Sequence, residues 1–187
     1  MPRSQGRASL PDRRRPPWSL GFPLGRLATG VIACGVVALA ALPAAGNAFP
    51  PRRIGDSITL RATYYNGPIR VTLLKLVDPA RSSYPSIRPR SGHRFVGIWL
   101  KLKNLGTRFY DDSPPNGAFV IDTRGHRYQA LPASSGTIEP RLSFGLAPGA
   151  SGTGVAAFEV PTRARLRTFT LKLDYPSGRD TGVWLLR

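Results

Sequence analysis

Apolar and polar positions alternate with a period of two over most of the chain beyond residue 55, the pattern of strands that turn one face to a core. In GDSITLRATY, Ile58, Leu60, Ala62 and Tyr64 share one side and Ser57, Thr59, Arg61 and Thr63 the other. In RFVGIWLKLKN, Val96, Ile98, Leu100 and Leu102 alternate with Phe95, Gly97, Trp99, Lys101 and Lys103. TFTLKLDY sets Phe169, Leu171, Leu173 and Tyr175 against Thr168, Thr170, Lys172 and Asp174. The run IRVTLLKLVD changes parity after Leu73, and a bulge near Leu73-Leu74 would restore a continuous apolar face. AFVID runs into Thr123-Arg124-Gly125-His126, where Gly125 can supply the positive φ of a hairpin loop. Pro148-Gly149 turns into a strand, Ser151 to Val160, whose one parity reads Gly154, Ala156, Phe158, Val160. The small residues there are expected to let a facing sheet approach, with Phe158 in the core and Pro161 ending the strand. With GVWLL near the C-terminus the pattern predicts an all-β sandwich of about seven to eight strands. Residues 79–92 and 130–148 read as long loops.

The first fifty residues have no such period. MPRSQGRASLPDRRRPPWSLGFPLGR carries six Arg, and LATGVIACGVVALAAL, residues 27–42, comes next without a charge. This is the order of a signal peptide, with Gly46-Asn47-Ala48 as cleavage residues, and equally of a retained anchor, since the run to Ala45 approaches the length of about 20 that spans a bilayer. Either outcome exports the residues from Phe49 onward. Val31-Ile32-Ala33-Cys34 fits a lipid-attachment motif loosely, because apolar residues continue where a polar tether belongs, and Arg13-Arg14-Arg15 lacks the apolar pair usual after a twin-Arg signal. The organisation expected is a basic region at 1–26, a signal or transmembrane segment at 27–48, a linker at 49–53 and the sandwich at 54–187.

Composition adds the sign of the charge. The chain of 187 residues has 27 Lys and Arg against 10 Asp and Glu. Residues 51–187 hold 21 basic and 9 acidic side chains, so the sandwich itself is basic and attracts anionic surfaces or polymers. Only four of the basic residues are Lys, an Arg bias that coding composition alone can produce. Cys34 is the only cysteine, which rules out an internal disulfide and a thiolate-rich metal site.

The sequence also resembles a known family. GDSITL, the Trp99 strand with its Lys103-Asn-Leu-Gly-Thr107 turn, Asp122-Thr-Arg-Gly125, Pro148-Gly149 with Phe158-Glu-Val-Pro161, and a last strand with Trp184 are similar to a domain of unknown function in exported and lipid-anchored proteins of actinobacteria and firmicutes. That domain looks like a relative of the small secreted immunogenic antigen of mycobacteria. The resemblance covers about residues 54–187 and implies an immunoglobulin-like sandwich; it brings no catalytic or binding residues with it. The long basic N-terminal region and the Arg- and Pro-rich loop at 79–92 depart from it.

Candidate chemistry is sparse. His93 and His126 are the side chains suited to proton transfer near neutrality, and both sit in predicted turns beside Gly and Arg, without a nucleophile elbow, a phosphate loop or a zinc-protease motif. Asp111, Asp112, Ser113, Asn116 and Asp122 offer hard oxygens for Ca²⁺, but no acidic residue completes an EF-hand spacing, and turn-capping carboxylates paired with Arg108 are the better reading. Arg81, Arg88, Arg90 and Arg94 gather on or beside the 79–92 loop near Tyr84, a basic patch with too little aromatic interleaving for nucleic acid. The expectation is an exported cell-envelope binding or scaffold module, not an enzyme and without cofactor or metal. Its expected partners are an anionic lipid or wall polymer at Arg81, Arg88, Arg90 and Arg94, or an unidentified protein, with membrane association through residues 27–45 if they are retained. The alternative is a secreted hydrolase using His93 or His126.

Overall fold

The computed structural model describes residues 47–63, 67–135, 137–142 and 144–187. Tyr64, Cys34, the apolar run and the basic N-terminal region lie outside them. Among the described residues no helix is long and apolar enough to cross a membrane. In chain order the strands are β1 (Asn47–Ala48), β2 (Ser57–Ala62), β3 (Gly67–Ala80), β4 (His93–Asn104), β5 (Tyr110–Asp112), β6 (Ala118–Asp122), β7 (Arg127–Gln129), β8 (Phe144–Leu146), β9 (Ser151–Pro161), β10 (Leu166–Leu171) and β11 (Asp180–Leu185). One sheet has the order β2-β3-β4-β9 and the other β1-β11-β10-β6-β7, with β5 and β8 as a separate pair. The architecture is a β-sandwich, as the alternation predicts.

The inward faces obey the sequence parity. Ile58 and Leu60 of β2, Ile69, Val71 and Leu73 of β3, Val96 to Leu102 in alternate positions of β4, and Ala156, Phe158 and Val160 of β9 meet Val120, Phe169, Leu171 and Trp184 from the other sheet. Phe158 and Phe169 pack edge to face with ring centroids 6.2 Å apart, and Phe169 lies 5.6 Å from Trp184. The register shift between Leu73 and Lys75 is the predicted bulge; Leu74 is the inserted residue and is exposed, while Leu76 beyond it rejoins the core. Gly125 takes φ +86°, as its hairpin loop requires. Two strands carry Gly-x-Trp, and in each the ring folds back over the glycine two positions earlier, Trp99 over Gly97 and Trp184 over Gly182. A Cβ at either glycine would enter the ring.

Four expectations change. β4 has no wet face at its start, because the long loops fold over it: Phe95, Val155, Ala157 and Ile138 form a second buried cluster that Ile87, Leu131 and Trp99 flank. Gly154 accommodates one of these loops and not the facing sheet, since a Cβ there would lie 2.6 Å from the Arg141 carbonyl oxygen and 2.7 Å from Leu142 Cα. The same loop hydrogen-bonds the outer edge of β9 through Val155 N–H to Pro140 O and Leu131 N–H to Ala157 O, which shields an edge that would otherwise template aggregation. Residues 49–53 are no free linker: Arg52 N–H donates to Val183 O, Leu185 N–H donates to Arg52 O, and Phe49 packs on the core, so this segment prolongs the parallel pairing of β1 with β11. Tyr175 leaves the inward face because Asp174 adopts φ +50° and ends the pleat; the ring is exposed and sits 5.8 Å from Phe119.

The register generates a stability test. Phe158→Ala empties a fully buried position and should cost about 3–5 kcal/mol. Glu159→Ala removes an ion pair to the exposed Arg90 and should cost at most about 1 kcal/mol. Urea midpoints decide the matter, and equal shifts in the two variants would place Phe158 on the wrong face.

Candidate functional site

Two charged residues occupy inward-facing positions at one end of the sandwich, where the alternation of each strand runs out. Arg94 continues the parity of Val96, Ile98 and Leu100 in β4, and Asp122 continues that of Ala118 and Val120 in β6. A charge in such a place needs its hydrogen-bonding capacity filled. Each residue meets the need by folding an adjacent turn around itself.

Asp122 is buried and organises the β6–β7 turn. Its Oδ1 accepts from the N–H groups of Arg124 (2.8 Å) and His126 (2.9 Å). Its Oδ2 contacts His126 Nδ1 at 3.1 Å and accepts from the Tyr128 hydroxyl at 3.0 Å. Burial alone would raise the carboxyl's pKa, but the backbone and ring of His126, the Arg124 N–H and the Tyr128 hydroxyl outweigh it and hold the group at about 2. Tyr128 shifts upward, chiefly through burial and then through its bond to Asp122.

Arg94 organises the β9–β10 turn. Its guanidinium has five N–H donors, and all are used. Nε and one Nη bond the Asp78 carboxylate, the second at 2.8 Å. The remaining donors take the carbonyl oxygens of Pro161 (2.6 Å), Thr162 (3.0 Å) and Ala164 (2.9 Å). Thr123 N–H then donates to Arg165 O at 2.8 Å and ties the two turns together.

Between the turns lies an open cleft of about 730 Å³, lined by Thr123, Arg124, His126 and Tyr128 on one side and Pro161 to Arg165 on the other. Its size falls within the range of about 300–1,000 Å³ usual for small-molecule sites. Arg124, Arg163, Arg165 and His126 are exposed around it, and Asp122 is the one carboxylate among its lining residues.

The residues singled out in the sequence fare differently. Arg81 and Arg88 are exposed on the loop. Arg90 is turned onto Glu159, with its backbone N–H 2.6 Å and its Nε 3.1 Å from the carboxylate oxygens. Arg94 has no donor left for a partner. The four thus divide between surface and structural posts. His93 is half-buried and its Nδ1 contacts Ser91 O at 3.0 Å. His126 has the carboxylate-oriented ring of a general base, yet among the described residues no Ser, Thr or Cys side chain hydrogen-bonds that ring. Asp112 caps Ser113 N–H and accepts from Tyr110 and Asp174, so its partners are these and not Arg108. Among the described residues no three His, Cys, Asp or Glu side chains gather in a way that could hold a metal ion. Sequence reasoning misses Arg124, Arg163 and Arg165, although a repeated Thr-Arg pair just after a strand, Thr123-Arg124 and Thr162-Arg163, marks both turns.

No protein-family model matches the chain, and no curated protein does. Among solved structures, a secreted protein from Mycobacterium tuberculosis, MPT63, superposes with a TM-score of 0.54 at 12% identity, over 76% of this chain and 99% of that one. The fold is similar to that of MPT63. An uncharacterized β-sandwich protein from Clostridium difficile (TM-score 0.47, 11% identity, 74% and 95% coverage) and the yjhA protein of Bacillus subtilis (0.47, 14%, 73% and 99%) also align. The likeness to MPT63 agrees with the mycobacterial resemblance drawn from the turn and strand motifs, and at this identity it concerns the fold alone.

The Asp122 network has a pH signature. A carboxyl whose folded pKa is depressed stabilises the fold fully above its unfolded value of about 3.9 and loses that contribution as pH falls through the folded value. The advantage of the native chain over Asp122→Asn in urea unfolding should therefore be constant above pH ~4 and shrink towards pH ~2. A difference independent of pH over that window would contradict the network.

Proposed function

We propose that the chain is an exported envelope module that binds an anionic partner and performs no chemistry on it. The observation that carries this reading is the excess of exposed cationic side chains on the sandwich, with Arg81 and Arg88 on the loop and Arg124, Arg163 and Arg165 on the two end turns. Three further features support it. The apolar run at 27–42 behind six Arg is the order of an export signal. The fold is shared with a secreted protein. The ionisable groups with internal roles, Asp122, Arg94, Asp180 and Glu159, are engaged in hydrogen bonds that hold turns and sheets together.

Two measurements test the two halves of the proposal. A phosphatase that works only outside the cytoplasm, fused after Arg187, is expected to be active; activity confined to a cytoplasmic reporter would end the export reading. The full chain held in neutral micelles should bind a phosphate-bearing wall polymer, or respond to an anionic lipid but not a neutral one doped into the micelles, and do so more weakly as salt rises. No binding to either anionic probe at physiological salt would overturn the binding reading.

A further inference from the structure

We infer that the cleft between the two Thr-Arg turns is a binding site for a phosphate group, held by Arg124, Arg163 and Arg165 with His126 and Thr123 beside them. The inference rests on the anionic-partner reading and gives it a place and a ligand class. Its ground is the way hydrogen-bonding capacity is divided at the cleft. The cleft's one carboxylate and three of its carbonyls are already used: both Asp122 oxygens bind donors of their own turn, and the carbonyl oxygens of Pro161, Thr162 and Ala164 point to Arg94. Three guanidinium groups from two facing turns remain exposed around the opening. With its only carboxylate engaged within its own turn and three guanidinium groups exposed, the cleft favours an anion over a cation.

Phosphate suits these donors better than a carboxylate does. Each guanidinium presents a planar fork that pairs two N–H groups with two oxygens, and a phosphate has oxygens enough to engage forks from both walls at once. The walls do not have to form on binding, because Asp122 and Arg94 fix them and the Thr123–Arg165 backbone bond joins them, so little ordering entropy opposes the ligand. The volume leaves room for the group that carries the phosphate.

The test measures affinity by NMR titration of the full chain in uncharged micelles with inorganic phosphate, with glycerol 3-phosphate, and with phosphatidylglycerol against phosphatidylcholine doped into the micelles. One variant carries Arg124→Ser, Arg163→Ser and Arg165→Ser. A charge-matched variant carries Arg70→Ser, Lys101→Ser and Lys103→Ser. The latter residues lie at the other end of the β4–β9 ladder, where Lys103 pairs with Ser151, whereas His93 pairs with Pro161 at the cleft end. At about 3.3 Å per residue the ends are separated by several Debye lengths of roughly 8 Å, so the distant charges act only diffusely. A third variant carries Arg81→Ser, Arg88→Ser and Arg90→Ser. The expected result is saturable binding of both soluble phosphates, weakened about tenfold or more in the cleft variant and little changed in the other two. Binding of phosphatidylglycerol alone, with loss in the cleft variant alone, also supports the site and identifies its phosphate as a lipid headgroup. Equal loss in all three variants overturns the site and leaves diffuse charge. Loss in the loop variant alone overturns the site while the anionic-partner reading stands, and absence of binding to every probe overturns both. Thermal midpoints unchanged in the cleft and charge-matched variants, and lowered only slightly in the loop variant, which loses the Arg90–Glu159 pair, keep affinity separate from folding.

Discussion

The Arg94 guanidinium is the interaction on which the cleft end of this sandwich depends. It lies where the inward face of β4 meets the end of the core, a position that tolerates a charge only if every donor is met. Its solution is to take one carboxylate, Asp78, and three carbonyl oxygens of a single turn. The turn is thereby held at the position from which Thr162, Arg163 and Arg165 line the cleft. Asp122 does the same with opposite sign from the other sheet, gathering donors where Arg94 gathers acceptors. One buried anion and one part-buried cation thus shape two turns whose outward side chains are left cationic.

The opposite corner is closed in the same manner. Arg61 on the edge strand β2 makes a bidentate pair with the buried Asp180 of β11, Nε and Nη2 each at 3.0 Å, and also donates its backbone N–H. These hydrogen bonds lower the Asp180 pKa despite its burial. Joined edges there, the prolonged β1 pairing along β11, and the loop laid on β9 engage part of the backbone at the margins of the sheets.

Much of this is legible in the sequence because a period of two maps directly onto the two faces of a strand. The inward residues of β2, β4 and β9 and the Leu73-Leu74 bulge derive from it, and glycine's freedom at positive φ gives the Gly125 turn. Alternation cannot say what covers an outward face, which is why the loops over Phe95 and Val155 are not foreseen and Gly154 reads as facing the other sheet when a loop lies against it. It also stops being informative where a strand ends. The parity of β4 leads to Arg94 as surely as to Val96, yet a lone Arg beside a basic loop reads as surface charge until the turn that accepts its donors is seen. Arg124 and Arg163 are hidden for a related reason: they lie far apart in sequence, and only the pairing of β10 with β6 brings their turns together.

Amide hydrogen exchange in Arg94→Lys tests this account most directly. Lysine keeps the charge but offers three donors from a single point, too few and wrongly directed to hold Asp78 and three carbonyls at once. The account predicts that exchange at Thr162 and Ala164, which donate to Gly92 O and Pro161 O within and beside this turn, accelerates by an order of magnitude or more, while amides of the β3–β4 ladder keep their protection. Unchanged exchange in the turn would show that Arg94 does not hold it, and an equal rise throughout the sandwich would show that the residue serves the fold as a whole and not the cleft.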